Sequence, residues 1–342
     1  MRKLKNIYPE NSIVLAPLSG FTDLPYRRSA RRHGCFYAFT EMVDAGSLVY
    51  RNPKTLKMLE RGDDEQWLGF QLVGADVQVL AEAVRIVNDR NFDVIDFNLG
   101  CPAPKVARKG EGAVLAENQD KALAAFEAIV SNSKIPVSAK IRILDDRNPE
   151  PTVELAGRLY EAGACAVTVH GRIRRKFYAG EVFFDIIKEV RKALPCTTLA
   201  NGGVFDAETF SVMRRKTGCN SVMIARGAMG NPWIFDELNA VLKNKEWTPP
   251  TPDEFADEVF EHILEMTHFY GLKLGLTVAR KVILDYMRGR GFSRKLKTRV
   301  IEIASIDDLR LFTDALRKGP SCRYRYWLEK NRNATRRLTI ID

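Results

Sequence analysis

Eight short apolar, β-branched runs recur through the first 230 residues, starting about 30 residues apart. They begin at Ile13, Phe36, Trp67, Val94, Val137, Ala166, Thr197 and Ser221. Several are apolar at successive positions, as strands buried on both faces are. Amphipathic helical stretches lie between them, among them Val77–Asn88, Glu154–Ala162 and Phe183–Ala193. Eight strand-then-helix units in this length predict an α/β chain built as a (β/α)8 TIM barrel. A doubly wound sheet is the competitor, but it usually has fewer strands. Its Gly-x-Gly-x-x-Gly fingerprint is also missing after the first strand, where Ala16-Pro17-Leu18-Ser19-Gly20 stands.

The pattern changes at Trp247-Thr248-Pro249-Pro250-Thr251-Pro252, which cannot continue a helix. Thr251 caps a new helix, with Pro252 at its first position and Asp253 and Glu254 in its first turn. Helical spacing follows over Asp253–Tyr270 and Thr277–Gly289, then in shorter pieces. The expected division is a barrel over 1–247 and a smaller all-helical domain over 248–342.

Charge sharpens that division. The net charge is +10, and residues 280–342 hold 17 Lys and Arg against 7 Asp and Glu. The other 279 residues carry 36 of each sign, so the whole surplus sits in the tail. A basic tail on a neutral body points to a polyanionic partner, nucleic acid above all; a solvated basic surface is the plainer alternative. Apolar residues make up 45% and charged residues 28%, which excludes a disordered or collagen-like chain. No apolar run of 18 residues occurs, and Met1–Ser12 lacks the apolar stretch of a secretory signal. The six cysteines show neither CxxC pairs nor metal spacing. A cytoplasmic protein with reduced thiols, no metal and no membrane partner is expected.

In a (β/α)8 barrel the active site lies at the C-terminal ends of the strands. Pro17, Glu41, Gln71, Asn98, Lys140, His170, Asn201 and Arg226 fall there. Asn98-Leu99-Gly100-Cys101-Pro102 follows the fourth strand, and its Gly and Pro hold a thiol at the barrel mouth. A free cysteine is more often a small core residue, the expectation for Cys165, Cys196 and Cys219; Cys101 differs by its context. The glycine-punctuated, basic stretch Lys105–Ala113 suits a lid over an anionic substrate. Lys140 ends a buried strand, where a cation is costly without a negative partner unless it reaches solvent, and Arg142 projects to the same side. Asn201-Gly202-Gly203 and Ala225-Arg226-Gly227-Ala228-Met229-Gly230 follow strands seven and eight, the common phosphate site of this fold. His170-Gly171-Arg172 closes the same quadrant.

These stretches resemble the tRNA-dihydrouridine synthase family. The resemblance is carried by Ala16–Asp23, Gln71–Gly74, Asn98–Pro102, Lys140–Arg142, His170–Arg172 through Tyr178–Gly180, Ala200–Gly203, and Arg226–Gly227 through Asn231–Trp233. In the tail it extends to Ala279-Arg280-Lys281 and Tyr286; Pro104–Lys109 looks most like the bacterial B-type branch. The resemblance implies FMN as cofactor, NADPH or NADH as reductant and tRNA as substrate. It implies flavin contacts from Pro17, Leu18, Ser19, Gln71, Lys140, His170, Asn201, Gly202, Gly203, Ala225 and Arg226. Substrate contacts are implied for Asn98, Arg142, Tyr178, Arg280 and Lys281. Hydride then passes from flavin N5 to uracil C6, and Cys101 protonates C5. A monomer is expected. Ile173 stands where the family usually has Thr, Lys176 where it has Gln, and the chain beyond Gly291 matches poorly.

Two rival readings share part of the pattern. A flavin barrel acting on a small pyrimidine explains the flavin loops but not the basic tail. A non-catalytic RNA-binding barrel explains the tail and predicts a colourless protein.

Overall fold

The computed structural model describes residues 7–320. Residues 321–342, with Cys322 and six of the tail's basic residues, lie outside the described part. Eight parallel strands close into a barrel in chain order: β1 Ile13–Leu15, β2 Tyr37–Asp44, β3 Leu68–Val73, β4 Val94–Leu99, β5 Val137–Arg142, β6 Ala164–His170, β7 Thr197–Asn201 and β8 Ser221–Ile224. The closing pair aligns Val14 with Met223. The expected (β/α)8 architecture is therefore present, with each strand start within two residues of its expected place.

The contacts group the chain into two compact units. One holds residues 7–24 together with Cys35–Arg226; the other holds Pro25–Gly34 and residues 227–320. In the first unit, β3 and β4 are buried along their whole length, as continuous apolar runs require. The starts of β2 and β3 close the N-terminal end with aromatic packing. Tyr8 lies 5.5 Å from Trp67 and 5.8 Å from Tyr37, ring centre to ring centre. Polar side chains therefore concentrate at the other rim.

The second unit is helical. Its main helices are Pro252–Tyr270, Leu272–Tyr286 and Ile306–Arg317. Thr251 caps the first through a capping box with Glu254, as the sequence predicts. The next helix starts five residues before its expected Thr277. Gly275 sits inside it because the chains pack so closely there that a Cβ would lie 2.6 Å from Thr267 Cα. Gly230, in the loop expected to hold phosphate, also serves packing. At φ +60° it faces the Asp285–Tyr286 peptide, 2.2 Å from where a Cβ would stand. Trp233 stacks on Phe255 at 5.5 Å, and Phe255 on Phe292 at 5.6 Å. The segment 25–34 joins this unit through long-range bonds. Ser29 Oγ donates to Glu258 Oε1 at 2.6 Å, and Tyr26 Oη to the Ala228 carbonyl at 2.5 Å.

Candidate active site

Strand register assembles the site in rows. Gln71 pairs with Asp96, and Asp96 with Ser138. Asn98 pairs with Lys140 one row further, and Arg142 with His170 and His170 with Asn201 beyond that. Positions two apart share a face, so these polar side chains rise along the barrel interior toward its C-terminal mouth.

Cys101 lies in the loop after β4 and is partly exposed. Its backbone N–H donates to Asn98 Oδ1 at 2.9 Å, and the Gly100 N–H does the same at 3.1 Å. Ala113 N–H donates to the Cys101 carbonyl at 3.0 Å, so the chain returns over the thiol. The expected lid residues form a short helix, Pro104–Ala107, and Lys109 is salt-bridged to Asp44. Burial raises the Cys101 thiol above its ordinary pKa, against the pull of Arg142 and Lys140. The thiol is thus held protonated at neutral pH.

Lys140 Nζ donates to Asn201 Oδ1 at 3.0 Å, and Asn201 Nδ2 to the Met223 carbonyl at 2.8 Å. Burial, with Arg142 nearby, lowers the Lys140 pKa to about 8. Arg142 is fully buried and works as a brace. Its Nε donates to the Gly100 carbonyl at 3.0 Å and Nη1 to the Phe177 carbonyl at 2.6 Å. It thereby ties the thiol loop to the loop after β6. Two guanidinium groups approach Tyr178, with Arg142 Cζ and Arg226 Cζ each 5.6 Å from its ring centre.

His170 is buried, and its Nε2 accepts from Arg172 Nη1 at 3.3 Å. Burial, then Lys140, Arg142, Arg172 and Arg226, push its pKa well below the ordinary value, so the ring is neutral. Arg172 Nε donates to the Gly180 carbonyl at 3.0 Å, and Arg226 Nη2 to the Tyr178 carbonyl at 2.9 Å. Among the described residues, Lys140, Arg142, Arg172 and Arg226 have no carboxylate within salt-bridge distance. The cluster therefore suits an anionic ligand. Gly202 and Gly203 stand beside it at φ +119° and +69°. A Cβ at Gly202 would lie 2.9 Å from His170 Cδ2. Bare backbone next to cations without carboxylate partners is the chemistry a phosphate group needs.

Other expected flavin residues lie as follows. Pro17 and Leu18 are half-buried and Ser19 is exposed. Phe21 N–H and Thr22 N–H both donate to the Leu18 carbonyl, at 2.9 and 3.0 Å, which fixes that turn. Ala225 is half-buried beside Arg226. Gln71 is fully buried; Nε2 donates to Asp96 Oδ2 at 2.7 Å and Oε1 accepts from Asn98 Nδ2 at 2.8 Å. Arg280 and Lys281 lie in the second unit, on the helix Leu272–Tyr286. Asp96 and Ser138 are absent from the sequence-based set. The signal was present, since Asp96 stands two residues before Asn98 and so shares its face. No cluster of three His, Cys, Asp or Glu with metal-binding geometry occurs among the described residues. No helix among them is long and apolar enough to cross a membrane.

Residues 14–315 match the family model described as dihydrouridine synthase. A probable tRNA-dihydrouridine synthase of Rhodobacter capsulatus is 37% identical over 274 residues, covering 79% of this chain and 84% of the relative. Another from Rickettsia conorii is 34% identical over 291 residues, covering 84% and 88%. The tRNA-dihydrouridine synthase B of Pasteurella multocida is 32% identical over 281 residues, covering 82% and 85%. The chain belongs to the dihydrouridine synthase family.

Proposed function

We propose that this chain reduces specific uridines of tRNA to 5,6-dihydrouridine, with FMN as resident flavin, NADPH or NADH as reductant, and Cys101 as the acid that protonates uracil C5. The reading is supported most by one observation: within a family match over residues 14–315, Cys101 sits in the loop after β4 at the barrel mouth, within electrostatic reach of Lys140, Arg142 and Tyr178, with its thiol pKa raised by burial. A protonated thiol is what a proton donor to carbon requires, whereas a nucleophile needs a lowered pKa.

A bound flavin supplies the hydride. The chain's own residues then have distinct tasks. Lys140, fixed by Asn201, places a cation on the barrel interior, where an anionic ring edge is favoured. Arg226 and Arg172, beside Gly202 and Gly203, hold the phosphate. Pro17, Leu18, Ser19 and Ala225 line the flavin through backbone atoms, Gln71 lies behind its pyrimidine edge, and neutral His170 supports the phosphate side. Asn98 and Tyr178 receive the uracil, while Arg142 keeps the thiol loop in register.

The barrel within 1–247 carries the chemistry, and the basic domain over 248–342 binds tRNA, with Arg280 and Lys281 as contacts. A uridine leaving its stack costs a few kcal/mol, which phosphate contacts offset. The protein acts as a monomer in the cytoplasm, and its relation to the B-type synthases stands with that reading.

The deciding experiment incubates purified protein, FMN, NADPH and tRNA from cells lacking this gene. Nucleoside mass spectrometry then looks for a two-hydrogen gain on uridine. A yellow protein with that product, lost at high salt, supports the proposal. A colourless protein, or one that reduces free pyrimidines and not tRNA, refutes it.

A further inference from the structure

We infer that Asp96 is a positioning residue: it fixes the direction of a buried amide chain, Gln71 then Asn98, that ends on the backbone N–H groups of Gly100 and Cys101. This deepens the reading of Cys101 as proton donor and rests on it.

The direction follows from what each group can accept. A carboxylate only accepts hydrogen bonds. Gln71 must therefore turn Nε2 toward Asp96 Oδ2, at 2.7 Å. Its Oε1 then faces Asn98 and accepts from Nδ2 at 2.8 Å. That commits Asn98 Oδ1 to the far side, where Gly100 N–H and Cys101 N–H donate at 3.1 and 2.9 Å. Ser138 Oγ donates to Asp96 Oδ1 at 2.7 Å and holds the other end. Turning either amide over sets two donors or two acceptors face to face in a buried row.

Burial alone does not explain an acid here. Asp96 is 1% exposed in a strand otherwise made of Val94, Ile95, Phe97, Asn98 and Leu99. An apolar residue at this point would avoid the desolvation cost of a buried charge. Burial raises the Asp96 pKa only to about 6, because Gln71, Ser138 and Lys140 oppose it, so the carboxyl is ionised at neutral pH. Tyr8 and Cys165 also lie within electrostatic reach, and neither is charged. An acceptor-only group at the base of the chain is what its direction requires.

Hydrogen exchange and thermal unfolding of the full-length, flavin-loaded protein test this. Asp96→Leu removes the acceptor and frees Gln71 to turn. The expected result is at least tenfold faster exchange at Gly100 and Cys101, with the other strands protected as before, and tRNA turnover reduced at least tenfold. Asn98→Asp sets two carboxylates against one amide and lowers the melting temperature. Adding Asp96→Asn rebuilds the chain in reverse. The new amide at position 96 donates to Gln71, and Gln71 donates to the new carboxylate at position 98, so the double variant melts above Asn98→Asp alone. This second arm decides the matter if Asp96→Leu does not fold. Unchanged exchange at Gly100 and Cys101 in Asp96→Leu, uniform loss of protection, or additive melting shifts would each overturn the inference. Exchange and melting need no turnover. A wild-type protein that makes no dihydrouridine would therefore defeat the functional reading alone.

Discussion

Lys140 Nζ donates to Asn201 Oδ1 at 3.0 Å although β5 and β7 are not neighbours in the sheet. The bond passes across β6 inside the barrel, and Asn201 is itself tied to β8 through the Met223 carbonyl. A lysine fixed in this way is held at the barrel mouth and only partly exposed, so its charge depends on what binds beside it. Burial and Arg142 lower its pKa to about 8. An anion bound alongside raises that value, so binding takes up a proton once the pH exceeds about 8. FMN affinity is expected to hold between pH 6.5 and 7.5 and to fall above pH 8, by up to tenfold per pH unit. Lys140→Met should bind more weakly and lose the slope. Flavin fluorescence titrations across this range check it; a parallel slope in the variant would remove Lys140 as its source.

Cys101→Ala should keep flavin and fold while tRNA reduction falls by about 10²- to 10⁴-fold, the usual worth of a general acid. Flavin reduction by NADPH should proceed as in the wild type, because the thiol takes no part in that half-reaction. Since burial raises the thiol pKa, turnover should not fall through neutral pH. Alkylation of the free enzyme should be slow at pH 7 and accelerate above pH 9. Rapid-mixing measurements of the two half-reactions separate the effects.

Gly202→Ala tests the phosphate cradle. A side chain at φ +119° is strained, and its Cβ would stand 2.9 Å from the His170 ring. Backbone strain of this kind costs about 1–3 kcal/mol. The His170 ring must also shift, and it carries the contact to Arg172. Flavin content is expected to drop at least tenfold, with thermal stability lowered by a few degrees. Gly110→Ala is the control, because a Cβ there meets no atom within 4 Å although its φ is also positive. Equal flavin loss in both variants would assign the effect to strain alone.

The strands were legible because burial on both faces leaves continuous apolar runs, and a barrel repeats them at nearly constant spacing. The placement of Lys140, Asn201 and Cys101 at or just past the C-terminal ends of their strands was legible because it follows from where the apolar runs stop. Asp96 was passed over because an acid inside an apolar run reads as an interruption; its spacing from Asn98 puts it on the same face, and the register with Gln71 and Ser138 makes it part of a row. The bonds of Arg142 to the Gly100 and Phe177 carbonyls were not legible, because they depend on loop paths that no local pattern encodes. The same holds for 25–34, whose place beside the later helices rests on contacts such as Ser29 with Glu258, 229 residues apart.

That last contact belongs to a charged network with its own pH dependence. Glu258 accepts from Arg32 Nη2 at 2.8 Å and lies 3.2 Å from His33 Nε2, while His33 Nδ1 lies 2.7 Å from Asp236 Oδ2. Burial opposes both charges. Bonds from His33, Arg32 and Ser29 nonetheless hold Glu258 at about 2, and bonds to Asp236 and Glu258 raise His33 to about 9. A raised histidine contributes stability fully below its ordinary value of 6.5 and loses it as pH rises through 9. A depressed carboxylate contributes above its ordinary 4.5 and loses it as pH falls toward 2. Melting temperature should therefore be highest between about pH 4.5 and 6.5 and decline on both sides. His33→Gln should flatten the alkaline decline and leave the acid one. Glu258→Ala should lower the melting temperature, because it removes the group shared by Arg32, His33 and Ser29 and leaves Arg32 only Glu265 and His33 only Asp236, and it should weaken both declines. Calorimetry from pH 3 to 10 reads all three proteins; an alkaline decline that persists in His33→Gln would place its origin elsewhere.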